Sequence, residues 1–320
     1  MKTLILGGAG FIGLHLARNL LADGHRVTIA DDFSRGRDDP ALASVDAEVL
    51  HADLTRPDGF RDLPHGWDQV YLLAAVVGVR NVERDPARVV RVNSLVVLNT
   101  LDWIRPGERL FFASTSEVYA GGVSAGTVPV PTPENVPLTV RDVTAPRFAY
   151  GVSKMLGEAA VVHTARARGF PCVIGRFHNV YGPRMGESHV IPEVALRALR
   201  GEDPFWVYGA EQSRAFCHVD DAVDAIRRLM VPGVAEGRIV HIGNDGEETN
   251  IGDLTKLVLR VVGHDPGITY APAPAGSVAR RCPDLRLLRS LTGYEPAVRL
   301  EDGVRNTVAW YAGDRTAAPG

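Results

Sequence analysis

An α/β fold, a doubly wound parallel sheet followed by a smaller C-terminal α/β lobe, is predicted from three observations. Short apolar runs alternate with stretches of helical periodicity through the first 180 residues of the 320-residue chain. The first of these runs, Leu4-Ile5-Leu6, stops at glycines 7, 8, 10 and 13 and passes straight into an amphipathic segment. Beyond Gly182 the apolar runs shorten and the helical segments scatter. The expected division is therefore 1–180 for the sheet domain and 181–312 for most of the second lobe, some of whose segments return to the sheet. A small polar tail, 313–320, is expected to fray.

The elements follow in order. After Gly13 the segment Phe11 to Ala22 places Ile12, Leu16 and Leu20 at helical spacing, and Asp23-Gly24 ends it. A strand, glycine-rich turn and helix start of this kind cradle a dinucleotide pyrophosphate, as in Rossmann-type domains. Gly7 allows the sharp turn, Gly10 admits the phosphates, and Gly13 lets helix and strand pack closely. Phe11 and Ile12 stand at the helix start, whose N–H groups carry partial positive charge. Residues 26–30 form the second strand, ending at Asp31-Asp32. Asp31 lies eighteen residues after Gly13, near the spacing of an acid that binds the adenosine ribose hydroxyls. A carboxylate there repels a 2′-phosphate and favours NAD over NADP, while Arg35 and Arg37 argue the other way.

Residues 47–51 read as the third strand. Val70 to Val77 reads as a fourth, apolar on both faces as buried parallel strands are. A helix is expected over 86–104 and a fifth strand over 109–114. The stretch from Gly121 to Arg147 is rich in Pro, Gly, Val and Thr and has no period, as a long functional loop would. A helix over 149–168 and a sixth strand over 171–177 follow, then helices near 191–199, 220–230, 251–262 and 301–311.

Composition narrows the function classes. Charged residues make up 23% and the formal net charge is −3, so no basic excess points to nucleic acid or an anionic membrane. Three dispersed cysteines, at 172, 217 and 282, form no metal-ligand spacing and indicate reduced thiols. The apolar N-terminus is too short for a signal sequence, and no apolar run reaches the roughly eighteen residues of a spanning helix. A cytoplasmic protein with no metal is expected.

The second informative feature is Tyr150-Gly-Val-Ser-Lys154. Tyr and Lys four apart on a helix share one face. An adjacent ammonium, with the positive nicotinamide ring of NAD, favours phenolate and lowers a pKa that is otherwise near 10. The lysine can also hold the cofactor ribose.

Taken together, the chain resembles the extended short-chain dehydrogenase/reductases of the NAD-dependent epimerase/dehydratase family, which modify nucleotide sugars. The resemblance rests on Gly7 to Gly13, Asp31-Asp32-Phe33-Ser34, Asp53-Leu54, Ala74-Ala75, Asn93, and Ser114-Thr-Ser-Glu-Val-Tyr119. It continues through Tyr150 to Lys154, Arg176 to Pro183, and Arg214 to Asp221. It implies that Asp53 and Leu54 frame the adenine, that Ala74 and Ala75 line the cofactor trough, and that Asp32, Ser34, Asn93 and Ser114 belong to the cofactor site. Thr115 falls where a Ser or Thr bonds the sugar 4-hydroxyl, and Asn179 where an Asn contacts the nucleotide phosphates. Arg214 and Arg281 fall where arginines clamp the diphosphate, and Val190 among the substrate contacts. A homodimer through helices 86–104 and 149–168 is a further expectation from the resemblance.

The shared chemistry implied is removal of the 4-hydroxyl proton by Tyr150, assisted by Thr115, with hydride transfer from C4 to the nicotinamide. The resulting 4-keto sugar has three fates. Re-reduction on the other face gives 4-epimerisation. A 4-keto uronic acid can lose CO₂, its ketone being β to the carboxylate. Elimination across C5 and C6 needs an acid/base pair, and dehydratases carry Asp then Glu after the Thr, where this chain has Ser116 and Glu117. Ser114 to Tyr119, Tyr181 to Met185 and Arg281-Cys-Pro-Asp284 resemble UDP-glucuronate decarboxylases, where the Glu and the Arg act at the carboxylated end of the sugar. Tyr150-Gly-Val-Ser-Lys154 is the epimerase wording, and 74–82 lacks the decarboxylase pattern. Epimerisation is placed ahead of decarboxylation, with dehydration and a non-catalytic NAD sensor behind them. Glu117 reads equally as a residue holding a loop. His178, His189 and His218 read as packing or surface residues, Asp220-Asp221 as a helix cap, and Cys282 as a candidate exposed thiol.

Overall fold

The structure, a computed structural model, describes residues 1–34, 39–273 and 277–313. Its strands are β1 (Lys2–Leu6), β2 (Arg26–Asp31), β3 (Glu48–His51), β4 (Gln69–Leu72), β5 (Arg109–Thr115), β6 (Cys172–Phe177) and β7 (Val180–Tyr181). They continue with β8 (Phe205–Tyr208), β9 (Ser213–Ala215), β10 (Cys217–His218), β11 (Arg238–Ile242), β12 (Glu248–Asn250), β13 (Ile268–Ala271) and β14 (Arg280–Arg281). The helices are α1 (Phe11–Ala22), α2 (Pro40–Ala43), α3 (Val79–Arg84), α4 (Pro86–Trp103), α5 (Ala120–Ser124) and α6 (Phe148–Arg168). After these come α7 (Val190–Leu199), α8 (Val219–Leu229), α9 (Ile251–Val262), α10 (Arg286–Thr292) and α11 (Leu300–Tyr311). The tail beyond residue 313, and Arg35 and Arg37, lie outside the described residues.

The chain forms two compact units. The first comprises Met1–Val118, Val140–Arg176 and Val223–Val240; the second comprises Tyr119–Thr139, Phe177–Ala222 and the chain from His241 onward.

The first unit is built on a seven-stranded sheet of order β11-β6-β5-β4-β1-β2-β3. β1 pairs in parallel with β2 on one side and β4 on the other, and its last residue, Leu6, faces both Ala30 and Leu72. The chain therefore winds outward through β2 and β3, returns to β4, and winds outward again. The predicted doubly wound parallel sheet is the one that forms. Reversal beside β1 opens a crevice at the C-terminal strand ends, where such sheets bind ligands. Leu4, Leu6, Val70, Leu72, Leu110, Phe112 and Ile174 from the strands are buried with Val97 and Leu101 of α4 and Val161 of α6. Each such apolar side chain contributes roughly 1.5–3 kcal/mol on burial.

Two boundaries differ from the sequence expectation. β4 ends at Leu72 rather than Val77, because the backbone N–H groups of Leu73 and Ala74 both turn to donate to the Leu6 carbonyl. The apolar residues that follow leave the sheet and cross the glycine turn. The helix expected over 86–104 is preceded by α3, which stops before Pro86. Asp85 caps α4 by accepting from the Arg88 N–H at 2.9 Å.

In the second unit α7, α9 and α11 pack together over Phe205 and Val207, burying Ile191, Val194, Leu254, Val258, Val304 and Val308. Asn250 caps α9 through the Asp253 N–H, and Gly263 ends it in the left-handed conformation. Three small sheets complete the unit: β7 with β10, β8 with β13, and β12-β9-β14. Their strands are two to four residues long, and most had no periodicity to predict them.

Candidate active site

The glycine turn is held by close approach. Gly7 has φ +86°, and a Cβ there would lie 2.5 Å from the Ala74 nitrogen; one at Gly13 would lie 2.6 Å from the Gly7 carbonyl oxygen. Gly10 is the N-cap of α1, in extended conformation and bringing no side-chain cap. The first-turn N–H groups of Phe11, Ile12 and Gly13 are thus left to an anionic ligand rather than to a capping oxygen. Asp31 ends β2 beside this turn: one carboxylate oxygen accepts from the Ala9 N–H at 3.0 Å, the other from the Phe33 N–H at 2.9 Å. Asp32 accepts from the Ser34 N–H and shapes the turn that follows. These residues fit the pyrophosphate and ribose of a dinucleotide.

Around them, Asp53 accepts from both the N–H and the hydroxyl of Thr55, and the Leu54 carbonyl accepts from Asn99. Asn93 does something the motif did not reveal. Its side-chain oxygen accepts from the Val76 N–H at 2.7 Å, and its amide donates to the Val76 carbonyl and to Ser153, whose hydroxyl donates to the Tyr150 carbonyl. The segment after Ala74-Ala75 is thereby tied to the helix turn that carries Tyr150.

Tyr150 and Lys154 lie one turn apart on α6, as their spacing requires. Thr115, the last residue of β5, hydrogen-bonds the phenol. Lys154 is 3% exposed, donates to the Ala113 carbonyl at 2.7 Å, and sits 5.9 Å from the Tyr150 ring centroid. Burial pushes its ammonium down to about 8, against the pull of the Glu158 carboxylate. Burial also pushes the Tyr150 phenol above its ordinary value, the Glu117 carboxylate adds to this, and the Thr115 hydrogen bond opposes both. In the chain alone, then, desolvation and Glu117 outweigh the lowering expected from the neighbouring lysine.

Behind the pair lies a buried ionic brace. Arg176 on β6 grips Glu158 through two bonds of 2.8 and 2.5 Å, and Ser114 donates to the same carboxylate at 2.5 Å. Ser114 therefore spends its hydroxyl on Glu158. Ser116 and Glu117 form a 3₁₀ turn after β5, and a Cβ on Gly151 would lie 3.0 Å from the Glu117 carbonyl oxygen. The first turn of α6 thus rests directly on the Glu117 backbone. Arg147, at the N-cap of α6, faces the Glu117 carboxylate at 3.8 Å.

In the second unit, Arg214 on β9 and Arg281 on β14 are direct register partners in a parallel pair, so both side chains leave the same face of that small sheet. Arg280 and Ser213 occupy the opposite face and bind Glu248 at 2.8 and 2.6 Å. The register thus places Arg280 on the face of Glu248 and Arg281 on the face of Arg214. Asn179 has φ +43° and donates to the Ala215 carbonyl at 3.0 Å, holding the turn between β6 and β7. Val190 is the first residue of α7. His178 is packed against His241, ring centroids 4.5 Å apart, and His218 is buried with its Nδ1 3.3 Å from Asp220. Asp221 stands in the first turn of α8 rather than capping it, and accepts from the N–H groups of Ala297 and Val298. Cys282 is not an exposed thiol: it is 2% exposed, and burial pushes its thiol up to about 11. Among the described residues no group of three or more His, Cys, Asp or Glu is placed to hold a metal, and no helix is long and apolar enough to cross a membrane.

Residues 3–243 match the NAD dependent epimerase/dehydratase family. The chain belongs to that family. It is 33% identical over 97% of its length to UDP-glucuronic acid decarboxylase 1 of Xenopus tropicalis, covering 72% of that protein. It is 31% identical to the UDP-N-acetyl-alpha-D-glucosaminuronate decarboxylase of Bacillus cytotoxicus, covering 97% of both chains. Among solved structures it is similar to the UDP-glucose 4-epimerase of Thermotoga maritima with UDP-glucose. The TM-score is 0.85 and the identity 29%, over 98% of this chain and 100% of that one.

As an NAD-dependent family enzyme, the chain shows residues around Tyr150 that motif reading passed over. Glu158 follows Lys154 by four residues, and helical periodicity alone puts it on the same face. Arg147 precedes Tyr150 by three residues, and only the fold brings Glu117 to it.

Proposed function

We propose that the enzyme acts on a nucleotide uronate, oxidising C4 and releasing the C6 carboxyl group as CO₂. The observation that carries this reading is Glu117, two residues beyond Thr115 and close enough to Tyr150 to push its phenol up. NAD, held by the glycine turn and Asp31, would supply the hydride acceptor for C4. Tyr150 takes the 4-hydroxyl proton, Thr115 orients that oxygen, and Lys154 keeps positive charge beneath them. When the C5–C6 bond breaks, its electron pair passes into the C4 ketone and CO₂ leaves neutral; C5 then takes a proton. Negative charge therefore moves from the acid end of the sugar to O4, beside the Thr115 and Tyr150 hydroxyls. Glu117 stands where the resembled decarboxylases carry the Glu that acts at the carboxylated end of the sugar. The decarboxylase names of the Xenopus and Bacillus relatives support the same order.

Arg214 and Arg281 would hold the diphosphate, because paired guanidinium groups suit phosphate oxygens. Asn179 and Val190 would complete the nucleotide side. The second reading, 4-epimerisation of a neutral nucleotide sugar, is favoured by Tyr150-Gly-Val-Ser-Lys154 and by the Thermotoga structure. NAD-loaded enzyme incubated with UDP-glucuronate, with trapped CO₂ measured and the sugar followed by NMR, separates the two. CO₂ with a pentose product is expected. A sugar inverted at C4 without CO₂ selects the epimerase. Exposed Val90 and Leu98 on α4 and Leu156 on α6, two helices that pack side by side, would form a homodimer face; Leu98→Glu should then sediment as monomer. Three buried free thiols suit a cytoplasmic enzyme.

A further inference from the structure

Oxidation at C4 takes a proton from the 4-hydroxyl oxygen and a hydride from the carbon beside it, so base and dinucleotide turn must keep one geometry. A displacement of about 1 Å can cost roughly a hundredfold in rate. In the first unit the side chains of the pair have fixed partners: Lys154 donates to the Ala113 carbonyl, and Thr115 hydrogen-bonds the Tyr150 phenol. The backbone that carries them has another. Ser153 lies between the two on α6, and its hydroxyl donates to the Tyr150 carbonyl at 2.7 Å. Serines within helices commonly bond back to their own helix. This one also accepts from the Asn93 amide at 3.2 Å, and both residues are at most 2% exposed.

Asn93 carries the link further. Its amide also donates to the Val76 carbonyl at 3.1 Å, and its oxygen accepts from the Val76 N–H at 2.7 Å. Both amide hydrogens are spent inside the protein, which makes Asn93 a junction rather than a donor to a ligand. The segment that holds Val76 is anchored at its other end, where the N–H groups of Leu73 and Ala74 donate to the Leu6 carbonyl and Ala74 packs against Gly7. A continuous buried path therefore runs from the glycine turn through residues 73–76, Asn93 and Ser153 to the helix turn of Tyr150.

We propose that Ser153 is a positioning residue for the base, fixing the Tyr150 turn of α6 against segment 73–76 so that the phenol keeps its place relative to the glycine turn. The inference rests on Tyr150 as the base at O4 and holds whichever fate the 4-keto sugar meets. Ser153 acts through Tyr150, since its hydroxyl is committed to the Tyr150 carbonyl and to Asn93. Its loss should therefore appear in kcat and not in binding.

The test uses NAD-loaded enzyme and the sugar that the parent converts, UDP-glucuronate or UDP-glucose. Ser153→Ala keeps a strong helix former in place and should fold. It should lower kcat roughly ten- to hundredfold, with KM for the sugar and NAD affinity unchanged. Ser153→Thr, which returns a hydroxyl, should recover most of the rate. In a Tyr150→Phe background, Ser153→Ala should lower the residual single-turnover rate no further, because the phenol through which it acts is gone. Unchanged kcat in Ser153→Ala overturns the proposal. So does an equal proportional loss with and without the phenol, or a matching fall in NAD affinity, either of which a purely structural serine would give. Those results, with Tyr150→Phe still inactive, leave Tyr150 as the base and remove only Ser153. A Tyr150→Phe enzyme as fast as the parent, or a parent that neither converts nor reduces its NAD with either sugar, overturns the base reading, and the Ser153 proposal falls with it.

Discussion

The helix face of the first unit and the small sheet of the second handle positive charge in opposite ways. On α6 and β6, Lys154, Glu158 and Arg176 are all at most 4% exposed; Glu158 and Arg176 neutralise each other through short bonds, and Lys154 donates to the Ala113 carbonyl. On β9 and β14, Arg214 and Arg281 are partly exposed register partners that leave one face of the sheet, while Arg280 and Glu248 pair on the other. Buried charges that are mutually satisfied hold a fixed field at one place. Like charges set together near solvent cost little alone and become favourable when an anion arrives. The first arrangement suits a reaction centre, and the second suits a surface that binds an anion.

The comparison can be broken most sharply at its centre. Tyr150→Phe removes the proposed base and should lower kcat by roughly 10²–10⁴-fold. NAD binding, read by fluorescence titration, should be retained; unchanged turnover would remove Tyr150 from the chemistry. Glu158→Ala leaves Arg176 buried without its partner and should cost about 3–5 kcal/mol in urea unfolding. A loss within the range of an exposed pair would show that the brace is not desolvated in solution. Arg281→Ala should weaken UDP binding by about tenfold or more, the value of a charged hydrogen bond, without lowering Tm. A fall in Tm with unchanged UDP affinity would make it a structural residue.

A smaller effect sharpens the electrostatic side. Burial places the folded Lys154 at about 8, below the ordinary lysine value of 10.5. Between those values the unfolded chain binds a proton that the folded chain does not, so this residue's contribution to stability rises with pH across the window and is constant below it. The urea midpoint of cofactor-free enzyme should therefore gain on that of Lys154→Met as pH rises from 8 toward 10.5. A constant difference would show Lys154 to be solvated. The smallest effect is expected at Arg280→Ala, on the exposed Glu248 pair, roughly 0.2–1 kcal/mol.

Local patterns and long-range placement were unequally legible. The glycine turn, α1, α9 and the Tyr150–Lys154 pair all follow from spacings within a dozen residues, which is the range of helix periodicity and turn chemistry. β4 ran shorter than its apolar run because hydrophobicity cannot tell a strand from a segment that leaves the sheet to cross a turn. Cys282 read as a candidate exposed thiol because nothing near it in sequence announces burial. Ser114 appeared as a cofactor residue, yet its hydroxyl goes to Glu158, forty-four positions away.

From residues alone came the doubly wound sheet, the glycine turn and a tyrosine one helix turn from a lysine, each encoded by contiguous side chains whose geometry the backbone dictates. Tertiary structure decided which charges meet. Glu158 closes on Arg176, Glu117 faces Arg147, and Arg281 shares a sheet face with Arg214 because sheet order and register, not sequence distance, bring those residues together.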